Sequence, residues 1–112
     1  MENPKFEIFT GANGEYYFRL RAKNGEPILA SEGYEAKGSA MNGIESVREN
    51  AGDDDRFKRK TSSDGKPYFV LVAGNNEPIG KSETYSSEAA MENGIAAVKE
   101  VAPGAPVEDD TD

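Results

Sequence analysis

Polar and apolar residues alternate along residues 15–22, a pattern that predicts a strand with one buried face. One side carries Tyr16, Phe18, Leu20 and Ala22, and the other carries Tyr17, Arg19 and Arg21. A shorter strand is predicted over residues 5–10, and the Gly-Ala-Asn-Gly sequence at 11–14 between the two is typical of a turn. Asn24-Gly25 is a hairpin signal, after which Pro27 opens a third short strand.

The apolar period changes near residue 36, where a helix is predicted. Its recurring small and apolar positions are Ala40, Gly43, Ile44, Val47 and Ala51. Asn42-Gly43 taken alone would favour a hairpin turn, but the helical pattern continues on both sides of it. A glycine inside a helix costs about 1 kcal/mol relative to alanine. We therefore expect Gly43 to let the helix approach the sheet closely, and a close approach to a ligand is the alternative.

The chain repeats itself after fifty-one positions: a shift of 57 − 6 = 51 lays Phe6 on Phe57 and runs without a gap to Ala51 and Ala102. Over this stretch 20 of the 46 aligned pairs are identical, so both halves are predicted to fold alike. The second half then has strands over 57–60, 67–73 and 79–81 and a helix over 87–101, with Ser86 or Ser87 as its cap. A last short strand is predicted over 107–111, after the helix-breaking Pro103, Gly104 and Pro106.

We interpret residues 1–112 as a single domain with three parts. Repeat 1 covers residues 5–51, repeat 2 covers 56–102, and residues 103–112 form an acidic C-terminal tail. Each repeat is near the lower size limit for independent folding, so the two are expected to share one core.

Several strings of this sequence resemble the YegP-like family of small bacterial and archaeal proteins of unknown function. They are Gly-Glu-Pro-Ile followed by Ser-Glu, Asn-Gly-Ile-x-x-Val, and Lys-Thr-Ser-Ser-Asp-Gly-Lys-Pro-Tyr-Phe at 60–69. The resemblance implies an α+β fold of tandem β3-α repeats that form one antiparallel sheet with two helices on one face. It also implies a pseudo-twofold relation, with the strand after each helix exchanged between repeats. It implies no activity.

The chain has no cysteine and no histidine. Their absence excludes disulfides, thiolate nucleophiles, Cys/His zinc sites and imidazole as a general base. The net charge of −8 disfavours binding to nucleic acid and to anionic membranes. No apolar stretch approaches the roughly 18 residues of a membrane span, and the N-terminus lacks the features of a signal peptide. We therefore expect a cytoplasmic protein.

Two kinds of motif could carry chemistry, and both favour structural roles. Asp53-Asp54-Asp55 runs directly into Arg56-Phe57-Lys58, which indicates a solvated linker rather than a calcium loop; Glu108-Asp109-Asp110 is read as a solvated tail. Ser31-Glu32 and Ser82-Glu83 recur before a tyrosine, but no base is tied to either serine, so capping and turn hydrogen bonds are favoured. We predict no catalytic residue, no metal site and no cofactor, and an enzyme ranks last among the hypotheses.

The face of the sheet opposite the helices is the predicted binding surface. Alternation places on it Tyr17, Arg19 and Arg21 from repeat 1 and Tyr68, Val70 and Val72 from repeat 2. Exposed aromatic and apolar side chains beside arginine suit a binding surface. The alternative is that both tyrosines only pair across strands and stabilise the sheet.

Two functional hypotheses follow from this face. The first is a non-catalytic interaction module that binds a protein partner through the open face or an edge strand. The second is nucleic-acid binding, with Tyr17 and Tyr68 stacking on bases and Arg19, Arg21, Lys58 and Lys60 contacting phosphates. The duplication would join in one chain what were two identical subunits. A monomer is therefore expected.

Overall fold

A computed structural model of the chain describes residues 3–111, so Met1, Glu2 and Asp112 of the predicted domain lie outside the described residues. The strands are β1 (Lys5–Thr10), β2 (Tyr16–Arg21), β3 (Pro27–Ala30), β4 (Phe57–Thr61), β5 (Pro67–Val72), β6 (Pro78–Lys81) and β7 (Val107–Asp110). The helices are α1 (Lys37–Asn50) and α2 (Glu88–Val101). Single 3₁₀ turns at Asp54–Arg56 and Ala102–Gly104 lead from each helix into the next strand. The predicted α+β class with three strands and a helix in each half is confirmed.

One seven-stranded sheet contains all these strands, in the order β4-β5-β6-β3-β2-β1-β7. The two halves meet where β3 pairs antiparallel with β6. The resemblance had implied a wholly antiparallel sheet. The sheet is instead mixed, because β7 runs parallel to β1. In the second half β4 lies beside β5. In the first half the equivalent place, beside β2, is already occupied by β1. The strand that follows α2 does cross to the first half, but it can only add to the outer edge of β1.

Both helices pack on the same face of the sheet. The side chains that face them from the central strands, Phe18, Leu20, Phe69 and Leu71, are fully buried. The predicted close approach at the helix glycines is confirmed: a Cβ on Gly43 would lie 2.7 Å from the Tyr34 hydroxyl, and one on Gly94 would overlap the Tyr85 hydroxyl.

The two helices begin differently. Ser87 is the N-cap of α2, and its hydroxyl accepts a hydrogen bond from the Ala90 N–H at 3.1 Å, as predicted. Ala36 occupies the same place before α1 and makes no side-chain cap. Neither helix of residues 3–111 has the length and apolar character needed to cross a bilayer.

Candidate functional site

The six residues predicted to form the binding surface lie on the open face, but they form two separate groups. Tyr17, Arg19 and Arg21 are on β2, and Tyr68, Val70 and Val72 are on β5. Strands β6 and β3 stand between β5 and β2. Three strand spacings separate the two groups by roughly 14 Å. The two groups therefore lie on separate parts of the open face.

The first half of the open face is neutralised by its own side chains. The carboxylate of Glu7 on β1 accepts hydrogen bonds from Arg19 Nε at 2.6 Å and from Arg21 Nε at 2.7 Å. Burial alone would raise the pKa of Glu7, which is only 7 % exposed, but the two arginines outweigh this effect and lower the pKa. Both arginines are thus committed to an internal carboxylate.

Tyr17 is also occupied. Its ring stacks on that of Phe9, with centroids 5.8 Å apart and planes 17° from parallel. The Arg19 guanidinium lies 4.7 Å from the Phe9 ring centroid on the same surface. Glu7 and Phe9 were missing from the predicted site, although the alternation of Phe6 and Ile8 toward the core places both on the open face. In this half, the alternative that Tyr17 stabilises the sheet fits the contacts best.

The second half of the open face carries different chemistry at the same positions. Relative to the first half, Lys58 replaces Glu7, Lys60 replaces Phe9, Val70 replaces Arg19 and Val72 replaces Arg21. In the strand register Lys58 faces Val70 and Lys60 faces Tyr68 across the β4–β5 pair, while Lys81 faces Val70 from β6. Three lysines therefore surround a strip of apolar side chains.

This lysine-rimmed surface is concave, with a volume of about 620 Å³. Its floor includes Tyr68 and Val70, both partly exposed, whereas Val72 is only 5 % exposed and contributes little surface. The Lys81 ammonium lies 5.1 Å from the Tyr68 ring centroid. Glu32 and Glu83 also line the concavity. Even so, no carboxylate of residues 3–111 lies within 4.0 Å of the Lys58, Lys60 or Lys81 ammonium.

The sequence has a cluster of basic residues at 56–60 (Arg56, Lys58, Arg59 and Lys60), and the pleat of β4 divides it. Arg59 points to the helix side, where its guanidinium lies 2.7 Å from Glu92 and 3.1 Å from Asp54. Lys58 and Lys60 point to the open face, because they alternate with Arg59 along the strand. Only these two lysines of the cluster join the concave surface.

The acidic runs are exposed to solvent, as expected, and several of their carboxylates also form ion pairs. Asp53 caps the 3₁₀ turn by accepting from the Asp55 N–H, and Asp54 binds Lys99 and Arg59, whose hydrogen bonds lower its pKa. In β7, Glu108 lies 2.5 Å from Lys5. The carboxylates of Glu7, Glu108 and Asp110 come within 4.8 Å of one another. Within this cluster Lys5, Arg19 and Arg21 all lie within ion-pair distance of Glu7, and Lys5 also lies within ion-pair distance of Glu108.

The two recurring serines hold the backbone together. Ser31 Oγ accepts from the Phe18 N–H at 2.9 Å and donates to the Glu32 carbonyl at 2.9 Å. Ser82 Oγ accepts from the Phe69 N–H at 3.0 Å and donates to the Glu83 carbonyl at 2.8 Å. Each hydroxyl proton is therefore engaged, which fits the expected turn role and not that of a nucleophile.

Comparisons with known proteins agree with this architecture. The family described as "Domain of unknown function (DUF1508)" matches residues 12–57 and again residues 62–109, so each half of the chain carries one copy. Each match begins ahead of the second strand of its half and runs through the helix.

Relatives are similar over most of their length. The "UPF0339 protein in ptx operon 5'region" of Stutzerimonas stutzeri is 51 % identical over 102 residues, which are 91 % of this chain and 92 % of that protein. The UPF0339 protein YegP of Yersinia pestis is 50 % identical over 93 residues, 83 % of each chain.

Two solution structures share the fold. The protein of unknown function YegP from E. coli superposes with a TM-score of 0.92 at 41 % identity, over 99 % of this chain and 96 % of that one. A UPF0339 protein of Shewanella oneidensis superposes with a TM-score of 0.91 at 42 % identity, over 96 % and 92 %. The chain therefore belongs to the UPF0339 family of YegP-like proteins, whose repeated domain is one of unknown function.

Proposed function

We propose that this protein is a non-catalytic binding module whose lysine-rimmed surface, formed by Lys58, Lys60, Lys81, Tyr68 and Val70, binds an acidic segment of a protein partner. The observation that supports this proposal is the difference between the two halves of the open face. Glu7 pairs with both arginines of the first half, whereas the lysines of the second half have no carboxylate within ion-pair distance in the described part of the chain.

Electrostatics favour an anionic partner at this place. The three lysines outnumber Glu32 and Glu83, the carboxylates that line the same concavity, and form no ion pair with them, so the lysines still repel one another. A ligand carboxylate would relieve this repulsion, while Tyr68 and Val70 offer apolar contact between the charges. A basic surface on a chain of net charge −8 would also orient an acidic partner toward this half of the molecule.

Nucleic acid is the second candidate, and the contacts reduce the set of residues that support it. Arg19 and Arg21 are held by Glu7, and Tyr17 is stacked on Phe9, so the first half offers neither a free base platform nor free cations. Tyr68, Lys58 and Lys60 still fit stacking and phosphate contact. The two candidates differ in salt response, because binding that neutralises many phosphates weakens steeply as salt increases.

The proposal is tested by a pair of matched variants. Tyr68→Ser with Val70→Ser alters the lysine-rimmed surface, and Tyr17→Ser with Arg19→Ser alters the equivalent positions of the first half. Each tagged variant, checked for folding by thermal unfolding, is cross-linked in the native cell and purified with and without nuclease. We expect a protein recovered by the wild type and by the first-half variant to be lost with the second-half variant.

Other results would contradict the proposal. Identical recovery by all three proteins would show that the lysine-rimmed surface is not the binding site. Recovery that disappears with nuclease would favour the nucleic-acid candidate. The cytoplasmic localisation and the monomeric state expected from the sequence stay predictions, and sedimentation of the purified chain checks the second of them.

A further inference from the structure

The two ends of the sheet are not equivalent, although the two repeats are. β1 and β4 occupy the same position in their halves, since the shift of 51 lays Phe6–Thr10 on Phe57–Thr61. The outer edge of β1 is covered by β7, which pairs with it in parallel over Phe6 to Phe9. β4 is the last strand at the other end, and no strand of residues 3–111 covers its outer edge.

The outer edge of β4 presents unpaired backbone groups. The β4–β5 hairpin closes with the Ser62 N–H donating to the Lys66 carbonyl at 2.8 Å. Antiparallel alternation then directs the N–H groups of Lys58 and Lys60 toward β5 and those of Arg59 and Thr61 outward. Within the described chain neither outward N–H has a partner strand.

The backbone N–H and carbonyl of Phe57, the first residue of β4, already have hydrogen-bond partners. The Phe57 N–H bonds to the Asp54 carbonyl, and the Arg59 guanidinium donates to the Phe57 carbonyl at 3.3 Å. At the equivalent point of β1, the Phe6 N–H donates to the Pro106 carbonyl at the start of the β7 pairing. A strand added to β4 would therefore begin its pairing at Arg59, one step later than β7 begins on β1.

Charge selects what kind of strand fits. On β1 the register sets Glu108 of β7 beside Glu7, an unfavourable pair that Lys5 offsets at 2.5 Å from Glu108. At the matching positions of β4 stand Lys58 and Lys60, so acidic residues placed like Glu108 and Asp110 would each lie beside a lysine. The structure contains an acidic strand, β7, beside β1. Such a strand would match the charges of β4 better than those of β1.

The same lysines exclude other occupants. Two copies of β4 pairing with each other would bring lysines together, and charged residues on a short edge strand are a common protection against such pairing. The β7 strand of a second copy would first have to leave its own β1. The occupant that meets neither obstacle is an extended acidic segment of a different protein.

We propose that the outer edge of β4 receives an extended partner segment with acidic residues at alternating positions, paired in parallel with Arg59–Thr61 as β7 is paired with β1. This inference rests on the proposed function, because Lys58 and Lys60 belong to the lysine-rimmed surface and their side chains meet the acidic residues on the open face. It adds the backbone geometry, the strand direction and the alternating acidic pattern.

The test uses a peptide of residues 105–112 (APVEDDTD) as the probe and the full chain, labelled with ¹⁵N, as the receptor. The control peptide carries the corresponding amides, APVQNNTN. We expect the acidic peptide to slow amide exchange at Arg59 and Thr61, and the control peptide to bind about tenfold more weakly or not at all. Lys58→Glu should weaken binding about fivefold, whereas Lys66→Glu, which changes the net charge equally, should have little effect.

The Thr61→Pro variant distinguishes binding at the outer edge of β4 from binding on the open face. The proline ring removes an outward N–H but no hydrogen bond to β5. Edge strands tolerate such a substitution, and thermal unfolding checks that the variant folds. We expect this variant to lose peptide binding.

Three results would overturn the inference. Binding without protection of Arg59 and Thr61, or binding that survives Thr61→Pro, would show that the peptide lies on the face, and the proposed function would stand without the edge. No detectable binding to the wild type at about 1 mM peptide would remove the edge inference, since affinities weaker than about 1 mM correspond to less than about 4 kcal/mol. Shifts at Phe6 and Ile8 in place of β4 would indicate exchange with β7.

Discussion

Glu7 and Lys58 occupy the same position in the two halves of the sheet, and they give the two halves of the open face opposite character. Glu7 binds two arginines of β2, whereas Lys58 faces Val70 of β5. The buried positions between them and the helices changed far less: Phe18 and Phe69, for example, are identical and fully buried. Duplication preserved the core on one side of the sheet and left the other side free to diverge.

Glu7→Gln is expected to destabilise the protein by about 1–2 kcal/mol. The substitution removes the charge that Arg19 and Arg21 surround, while both arginines remain beside a side chain that is only 7 % exposed. We expect a smaller loss of unfolding free energy than for a fully buried ion pair, because the arginines are partly exposed to solvent. Urea unfolding at pH 7 measures it, and an unchanged midpoint would contradict the ion-pair role.

The same carboxylate predicts a pH dependence. The pKa of Glu7 is lower in the folded protein than in the unfolded chain, so its contribution is present above its unfolded pKa, near 4.3. That contribution is lost as the pH falls through the folded pKa. The difference in unfolding free energy between wild type and Glu7→Gln should therefore shrink as the pH falls below about 4. The pKa values of Asp54 and Glu92 are also lowered, so only the difference isolates Glu7.

Gly94→Ala is expected to destabilise the fold by about 1–3 kcal/mol, although alanine favours helices. The added Cβ would overlap the Tyr85 hydroxyl and lie 2.7 Å from Tyr85 Cζ, on a ring that stacks against Phe69. Gly38→Ala is the matched control, because nothing lies within 4 Å of a Cβ there, and it should stabilise α1 by up to about 1 kcal/mol. Thermal unfolding compares the two, and equal effects would refute the close-packing argument.

Ser82→Ala is expected to cost about 1–3 kcal/mol because it leaves the Phe69 N–H without its acceptor. Ser82 is only 5 % exposed, so water cannot readily replace the hydroxyl. Ser31→Ala removes the same bond to Phe18 at a more exposed position and should cost less. Denaturant midpoints measure the difference, and the reverse order would contradict the burial argument.

Much of the fold follows from local sequence, and the differences arise from competition between distant segments. The hairpin signal at Asn24-Gly25 and the cap at Ser87 each act through neighbours in the chain, and the structure confirms both. The parallel direction of β7 could not be predicted in the same way. It depends on β1 having taken the position beside β2, which is a property of the whole sheet.

The candidate site shows the same limit. Alternation along β2 and β5 correctly placed Tyr17 and Tyr68 on the open face. It did not indicate that β3 and β6 separate the two strands, because strand order depends on how the repeats join. It also did not reveal that Glu7 on a neighbouring strand would hold the arginines, since cross-strand partners require the register.

The chemistry of the first half can be transferred to the second, which tests the divergence argument directly. Lys58→Glu and Val70→Arg together recreate the Glu7–Arg19 pair at the equivalent positions, which face each other across β4 and β5. We expect each single substitution to be neutral or destabilising. The double variant should be more stable than the sum of the two changes predicts, by about 0.2–1 kcal/mol, the range of a cross-strand ion pair.

A double-mutant cycle by urea unfolding measures this coupling. The same double variant should lose the partner that the wild type binds, because a carboxylate replaces one of the three lysines and the introduced guanidinium is paired with that carboxylate. Additive effects of the two substitutions would mean that the repeats differ more in backbone geometry than their equivalent registers indicate. A stable, coupled pair that still bound the partner would place the binding site outside the lysine-rimmed surface.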